Sequence, residues 1–470
     1  MKRNQVPLQS LITFKNSQGD AARGTLLKLE RSTVVFEVYN PYSIVQLSEI
    51  LSDVTIRRGN SIIYQGRAVV SNLLNTGLML IVSATLIDHW GRALAFYENA
   101  DEFRQEASEF IGQWAHATNI REGYRNAVSQ LCNFLRELNQ WLEQIEANDS
   151  KVLSERLVTY DHLFDYAKPI LDKLGELIRK FGDEAGNVEP HDVDIHKAFL
   201  QRELHPLTML APFLHRTYYK PLGYAGDYEM MNMIHRSKPE GTTMYAKLVN
   251  TAYVSLPIAI CVRNRALMLE QYLLEGAQRK SQENTLFRVA NIGCGPALEV
   301  QRFVRGCPLA ENASFDLIDF NEETLNYAKS QIQEAMKISG HRLELTTVNQ
   351  SVNVLLRTAV SGMPHEYRSK YDFVYCAGLF DYLSDKVCTR LIRLFYSWLR
   401  PGGVLLVTNM HEAQGDKYVL EHVSDWYLIY RNEGQMEKLV PDLGVQRTFT
   451  DETGINLCLE VRNVGSDAFL

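Results

Sequence analysis

From residue 285 onward, short apolar runs alternate with helical patterns, and this alternation leaves the chain few folds to choose from. LFRVANI, SFDLIDF, RLELTTV, YDFVYCAG and GGVLLVTNM read as strands; ALEVQRFVRG, EETLNYAKSQIQEAMK and KVCTRLIRLFYSWL read as helices between them. Strands apolar on both faces must be covered on both faces. Alternating with helices, they predict a parallel, doubly wound, Rossmann-like α/β sheet. The closing segments GVQRTFTDE and INLCLEVRN predict an antiparallel hairpin at its edge.

A chain of 470 residues exceeds one ordinary core, so a multidomain protein is expected. Residues 1–95 hold GTLLKLE, STVVFEVY, DVTIRRG, SIIYQGRAVVSNLL and GLMLIVSATL, short β-branched runs broken by Gly, Asn and Asp. They predict a small antiparallel β-barrel. Residues 96–210 form a central helical region. Phe103, Ala107, Phe110, Trp114, Ala117, Tyr124, Val128, Leu131, Leu135, Leu138, Leu142 and Ile145 recur every three or four residues, with Arg121 breaking the seam and Gly112 and Gly123 able to split the helix. An intramolecular bundle could cover such a stripe, with Leu153, Leu157, Leu163, Leu171 and Leu174 as partners, and so could a dimeric coiled coil. The extension through Phe103, Phe110 and Trp114 leans toward a homodimer.

Residues 211–284 are mostly helical, a lid and cap for the sheet domain at 285–470. One stretch, TYYKPLGYAGDYEMMNM at 217–233, sets Pro221, Gly223 and Gly226 among four tyrosines and an aspartate. It predicts an irregular loop. Its aromatic hydroxyls and acid suit the lining of a site; a loop plugged by its own tyrosines is the other reading.

The strand-to-helix turn VANIGCGPALEV, 289–300, carries the chemistry. Gly293 and Gly295 lie where missing Cβ atoms let a ligand approach backbone N–H groups. The next strand ends in Asp319, an acid that can accept hydrogen bonds from two ribose hydroxyls. A dinucleotide site wants G-x-G-x-x-G, but Leu298 holds the last position, and Glu299 would repel a diphosphate. The cofactor expected here has no phosphate.

In these features the turn resembles motif I of the class I S-adenosylmethionine-dependent methyltransferases. LRPGGVLLV at 399–407 and YDFVYCAGLFDYLSD resemble that family's strands five and four. The likeness implies that S-adenosyl-L-methionine is held by Asn291, Gly293, Cys294, Gly295, Pro296, Asp319, Phe320, Asn349, Ser351 and Gly378. Asn291 replaces the family's usual acid and Ala297 its third glycine. YYKPLGYAGDYEMM, VRNRALML and DETGINLCLEV together resemble the bacterial extracellular-factor biosynthesis proteins, which implies a 3-hydroxypalmitic acid methyl ester product, quorum sensing and a PilZ-like barrel. MKRN and LERSTVVFE lack the R-x-x-x-R and [DN]-x-S-x-x-G by which such barrels take cyclic di-GMP, so that ligand is not expected.

Methyl transfer to a carboxylate, already ionised at pH 7, needs no general base, whereas an alcohol or amine usually does. Tyr224, Asp227 and Tyr228 are the candidates for closing over the site. His411, just past a strand's carboxyl end, is the best-placed base or else a satisfied loop histidine. The acceptor expected is a lipid-derived small molecule. Another small molecule, a protein side chain, or a non-catalytic regulatory role are the alternatives. A net charge of −7 argues against nucleic acid. No run approaches the roughly 18 apolar residues of a membrane span. The seven cysteines are scattered without C-x-x-C, which predicts no metal site and a reducing, cytoplasmic location.

Overall fold

The computed structural model describes residues 10–29, 32–39, 45–58, 61–75, 79–88, 119–148, 160–361, 367–440 and 442–465, with a few positions between 104 and 112. Phe103, Phe110, Trp114, Ala117, Leu153 and Leu157 lie outside them. The chain folds as two compact units, neither continuous in sequence. The first takes residues 1–225, 237–256 and 415–427; the second takes 226–236, 257–414 and 428–470.

The first unit begins with a closed six-stranded antiparallel barrel. Its strands are β1 (Ser10–Lys15), β2 (Ala21–Leu29), β3 (Thr33–Tyr39), β4 (Ile50–Arg58), β5 (Ser61–Asn75) and β6 (Met79–Leu86). They run in the order β1-β2-β3-β6-β5-β4, and β1 pairs with β4 to close the ring. The period-two pattern sets Ile12 and Phe14, and Val34, Phe36 and Val38, inside. β1 is a strand that the apolar runs quoted above did not include. Closure leaves no open edge, and each fully buried Val, Ile or Phe is worth roughly 1.5–3 kcal/mol.

The seam of the central region is the buried face of a helix over Glu122–Asn148. Tyr124, Val128, Leu131, Leu135, Leu138 and Leu142 are all buried. They pack on the helices Tyr160–Gly186 and Val193–Thr208, which bring Leu171, Leu174, Ile178, Phe181, Leu200 and Leu204. The described part of the stripe is thus covered within one chain; Phe103, Phe110 and Trp114, on which the expectation of a homodimer rested, lie outside the described residues. Arg121 breaks the seam because it precedes the helix; its N–H donates to His196 Nε2 at 2.9 Å. Gly123 stays in the helix's first turn, where a Cβ would strike the Glu184 carboxylate.

The second unit is the anticipated sheet. β7 (Phe287–Ile292), β8 (Ala313–Asp319), β9 (Glu344–Asn349), β10 (Tyr371–Cys376), β11 (Leu399–Met410), β12 (Val445–Thr450) and β13 (Asn456–Arg462) lie in the order β12-β13-β11-β10-β7-β8-β9. β7 to β11 are parallel, and β12–β13 is the antiparallel edge hairpin, β13 pairing with β11. The order reverses at β7, with β8 on one side and β10 on the other. Such a switch point opens a crevice beyond the strands' carboxyl ends. Helices over Leu298–Gly306, Glu322–Ser339 and Asp385–Trp398 stand where predicted, and two others, Val352–Ser361 and Glu433–Glu437, arise where no periodic run announced them; a third such helix, Lys417–Ser424, belongs to the first unit. The irregular stretch of the tyrosine-rich segment shrinks to 220–227: Thr217–Tyr219 end the helix Pro212–Tyr219 and Tyr228 begins the helix Tyr228–Arg236.

Candidate functional site

The site gathers at the switch point, in the second unit. β7 ends at Ile292, and the turn that follows takes left-handed backbone at Gly293 (φ 64), Gly295 (φ 52) and Ala297 (φ 49) before the helix starts at Leu298. Gly293 N–H donates to the Ile318 carbonyl at 2.8 Å, tying the turn to β8. A Cβ on Gly295 would meet no atom within 4 Å, so that side of the turn is open. Here glycine serves conformation and access together.

Asp319 closes β8 with 7% of its surface exposed. Its Oδ2 accepts from Gly295 N–H at 3.3 Å and its Oδ1 from Asn321 N–H at 3.0 Å. Burial pushes its pKa up to about 6, against the pull of those N–H groups. Asn349 Nδ2 donates to the Phe320 carbonyl at 3.0 Å, and Gln350 N–H to the Asp319 carbonyl at 3.0 Å, fixing the neighbouring loop. Ser351 Oγ accepts from Val354 N–H at 3.3 Å and starts the next helix. Pro296 offers its carbonyl to Gln301 Nε2 at 2.8 Å. Cys294 is buried, and burial holds its thiol well above the usual range. Gly378, two residues beyond β10 with φ 95, donates its N–H to Thr408 Oγ1 at 3.1 Å.

The sequence pointed to the charge of Glu299 but not to its partners. Glu299 Oε1 accepts from Asn291 Nδ2 at 3.0 Å and from Tyr375 OH at 2.7 Å. Burial raises its pKa, and these two donors oppose the rise. Asn291 therefore spends its amide on Glu299, and the negative charge missing from β7 is supplied from the following helix. Glu299 also has a counterpart in Asp381, buried after β10, whose Oδ1 accepts from Met410 N–H at 2.7 Å. Burial pushes Asp381 up to about 6. The signal for Glu299 was an acid on the buried side of an amphipathic helix's first turn.

The predicted catalytic residues are divided between the two units. Tyr224 belongs to the first unit, Asp227 and Tyr228 to the second. Asp227 is buried and caps a helix: its Oδ1 accepts from Met230 N–H at 2.8 Å. Tyr228 stacks on Tyr327, ring centroids 4.6 Å apart, and donates to Glu323 Oε1 at 2.8 Å, against the helix that follows Asp319. His411 has both ring nitrogens engaged, Nε2 with Glu433 at 3.2 Å and Nδ1 accepting from Ala413 N–H at 3.1 Å.

Among the described residues, no cluster of three metal-ligating side chains exists, and no single helix is long and apolar enough to cross a membrane. The groups present fit S-adenosylmethionine: an acid at the end of β8 for ribose hydroxyls, an acid beside the glycine turn for an amine, and a turn open to a ligand.

Residues 289–403 match the family model of a methyltransferase domain. Among solved structures, a possible exported protein from Bordetella parapertussis is 19% identical, over 64% of this chain and 97% of that one, with a TM-score of 0.42. Magnesium protoporphyrin IX methyltransferase from Synechocystis PCC 6803, with bound S-adenosylhomocysteine, is 15% identical over 49% and 93%, at 0.32. An N-methyltransferase from Bradyrhizobium japonicum, in complex with S-adenosyl-L-homocysteine, is 14% identical over 42% and 87%, at 0.29. Likenesses this loose say nothing of substrate. Among curated proteins, none matches the chain. The chain carries a methyltransferase domain, and its cofactor is S-adenosylmethionine.

Proposed function

We propose that this protein methylates the carboxylate of a hydroxylated fatty acid. The observation that carries the methyl-transfer reading is Asp319, buried at the end of β8 and joined to Gly295 N–H at 3.3 Å. It puts an acceptor of ribose hydroxyls beside an open backbone turn at the switch point. Bound there, S-adenosylmethionine supplies a methyl group already activated by its sulfonium.

The chain's own residues have the remaining work. Asp319 accepts the ribose hydroxyls. Glu299, held by Asn291 and Tyr375, offers a fixed carboxylate to the amine of the cofactor's amino-acid end. Leu379, whose Cβ lies 3.6 Å from where a Cβ of Gly293 would stand, lines the turn on that side. An acceptor held near 3–3.5 Å and in line gains most of what such a displacement requires.

The engaged ring of His411 suits an acceptor that is ionised without help. The lipid part of the reading rests on likeness of motifs. Two of those motifs meet in the second unit, where Asn264 of VRNRALML donates to Asp451 of DETGINLCLEV at 2.9 Å. Incubation with methyl-labelled cofactor and a bacterial lipid extract tests the reading. Alkali-labile label in the organic phase is expected; label on protein, or none anywhere, would refute the proposed acceptor.

A further inference from the structure

The helix Pro257–Gln282 buries a face made of Ile258, Cys261, Val262, Ala266, Leu269 and Leu273, and Arg265 lies on that same face with 9% of its surface exposed. A helical period would put an apolar residue there. Its neighbours have structural partners: Arg263 Nη1 donates to the Ile234 carbonyl at 3.2 Å, and Asn264 to Asp451. Arg265 has no hydrogen bond or ion pair among the described residues. The residue is nine-tenths buried, yet none of its guanidinium nitrogens is among the fully covered polar atoms without a partner, so the fork keeps accessible surface from which an outside acceptor can reach it.

The guanidinium faces the site. A Cβ on Gly378 would fall 3.2 Å from its Nη1 and 3.3 Å from its Nη2. Its charge pulls down the pKa of Glu299 and Asp381 against the rise that burial causes, yet each of these takes its hydrogen bonds elsewhere. His235, also close enough to feel the charge, has a buried Nδ1 without a partner, and burial with the nearby arginines pushes its pKa down to about 3. It stays neutral and gives the guanidinium no anion.

We propose that Arg265 is a carboxylate receptor in the methyl-transfer site, a planar fork positioned to take both oxygens of one carboxylate. The carboxylate is either that of the acceptor or that of the cofactor's amino-acid end, and the proposal rests on the methyl-transfer reading above.

Calorimetry on the full chain separates the two sources from each other and from failure. The probes are S-adenosylhomocysteine, its decarboxylated analogue, 3-hydroxyhexadecanoic acid and the primary amide of that acid. The wild type is expected to prefer the carboxylate-bearing member of at least one pair by tenfold or more. Arg265→Met is expected to abolish that preference, and Arg265→Lys to restore part of it. Loss within the cofactor pair assigns the receptor to the cofactor, and loss within the acid–amide pair assigns it to the acceptor. Wild-type protein that shows neither preference, or Arg265→Met that keeps every preference, overturns the proposal. Wild-type protein that binds no S-adenosylhomocysteine refutes the methyl-transfer reading and the cofactor arm, while the acid–amide pair still decides the other arm. The lysine variant keeps the test readable if the methionine variant does not fold.

Discussion

Lys197 Nζ lies 2.9 Å from Asp425 Oδ1, with the two side chains 4% and 5% exposed. Tyr427 OH completes the cluster at 2.8 Å from the same nitrogen. Burial works against both charges. For Lys197, Asp425 and Tyr427 outweigh it and leave the pKa well above the ordinary value; for Asp425, Lys197 and Lys220 outweigh it and leave the pKa lowered.

Lys197→Met is expected to strand Asp425 and lower stability by about 3–5 kcal/mol, as broken buried pairs do. Adding Asp425→Asn should recover much of that loss. Asp425, with its lowered folded pKa, stabilises above the ordinary aspartate range and loses that as pH falls through the lowered value. Lys197, with its raised one, stabilises below the ordinary lysine range and loses that as pH rises through the raised value. Denaturant titrations should show a contribution that is flat through neutral pH.

Asp319 leads to the opposite shape near pH 6. A carboxylate can accept from two hydroxyls, and its acid form gives up an acceptor. Affinity for S-adenosylhomocysteine is expected to be level above pH 7 and to weaken by up to about tenfold per pH unit below the pKa of about 6. Asp319→Asn should bind weakly with no such slope. For folding of the free protein, the raised pKa means that this group's stabilisation is full below the ordinary aspartate range and is lost as pH rises through about 6. Calorimetry across pH 5 to 8 reads the first; a pH series of denaturant titrations reads the second.

Asp227 is expected to behave as a cap. Asp227→Ala should cost about 1 kcal/mol, while Asp227→Asn should be near neutral, since asparagine caps as well as aspartate. A loss of methyl transfer in Asp227→Asn at unchanged melting temperature would give the residue a second role, at the site.

Leu135 lies in the middle of the buried stripe. Leu135→Ala is expected to cost about 2–5 kcal/mol through the cavity it leaves. Light scattering should find the same molar mass for variant and wild type. A mass halved by the substitution would put the stripe in an interface between chains.

The second unit's sheet was legible because its central strands β7, β8, β10 and β11 are apolar on both faces, while the edge strands β9 and β12 are half-exposed. The glycine turn and Asp319 followed from the same grammar. Arg265 was not legible, and Glu299 was legible only as a charge that excludes a diphosphate, not as the partner of Asn291 and Tyr375. Each is a charged residue on a buried helical face, and periodicity alone treats such a residue as a blemish in the pattern, not as a ligand for something across the fold. The tyrosine-rich stretch misled for a different reason. Pro221, Gly223 and Gly226 break helix only over 220–227, but the tyrosines on either side carried the eye of the pattern past those breakers. In fact Asp227 is the N-cap that restarts the helix.

Because residues 415–427 complete the first unit, order of synthesis matters. Lys197 leaves the ribosome 230 residues ahead of Tyr427, which at about 5–20 residues per second is an interval of roughly ten to fifty seconds. For that time its ammonium lacks Asp425 and Tyr427, and Asp194 is the one acid acting on it that has already been made. A truncated chain ending before Asp425 would remain in that condition for good, so neither unit can be obtained by cutting the gene at one point.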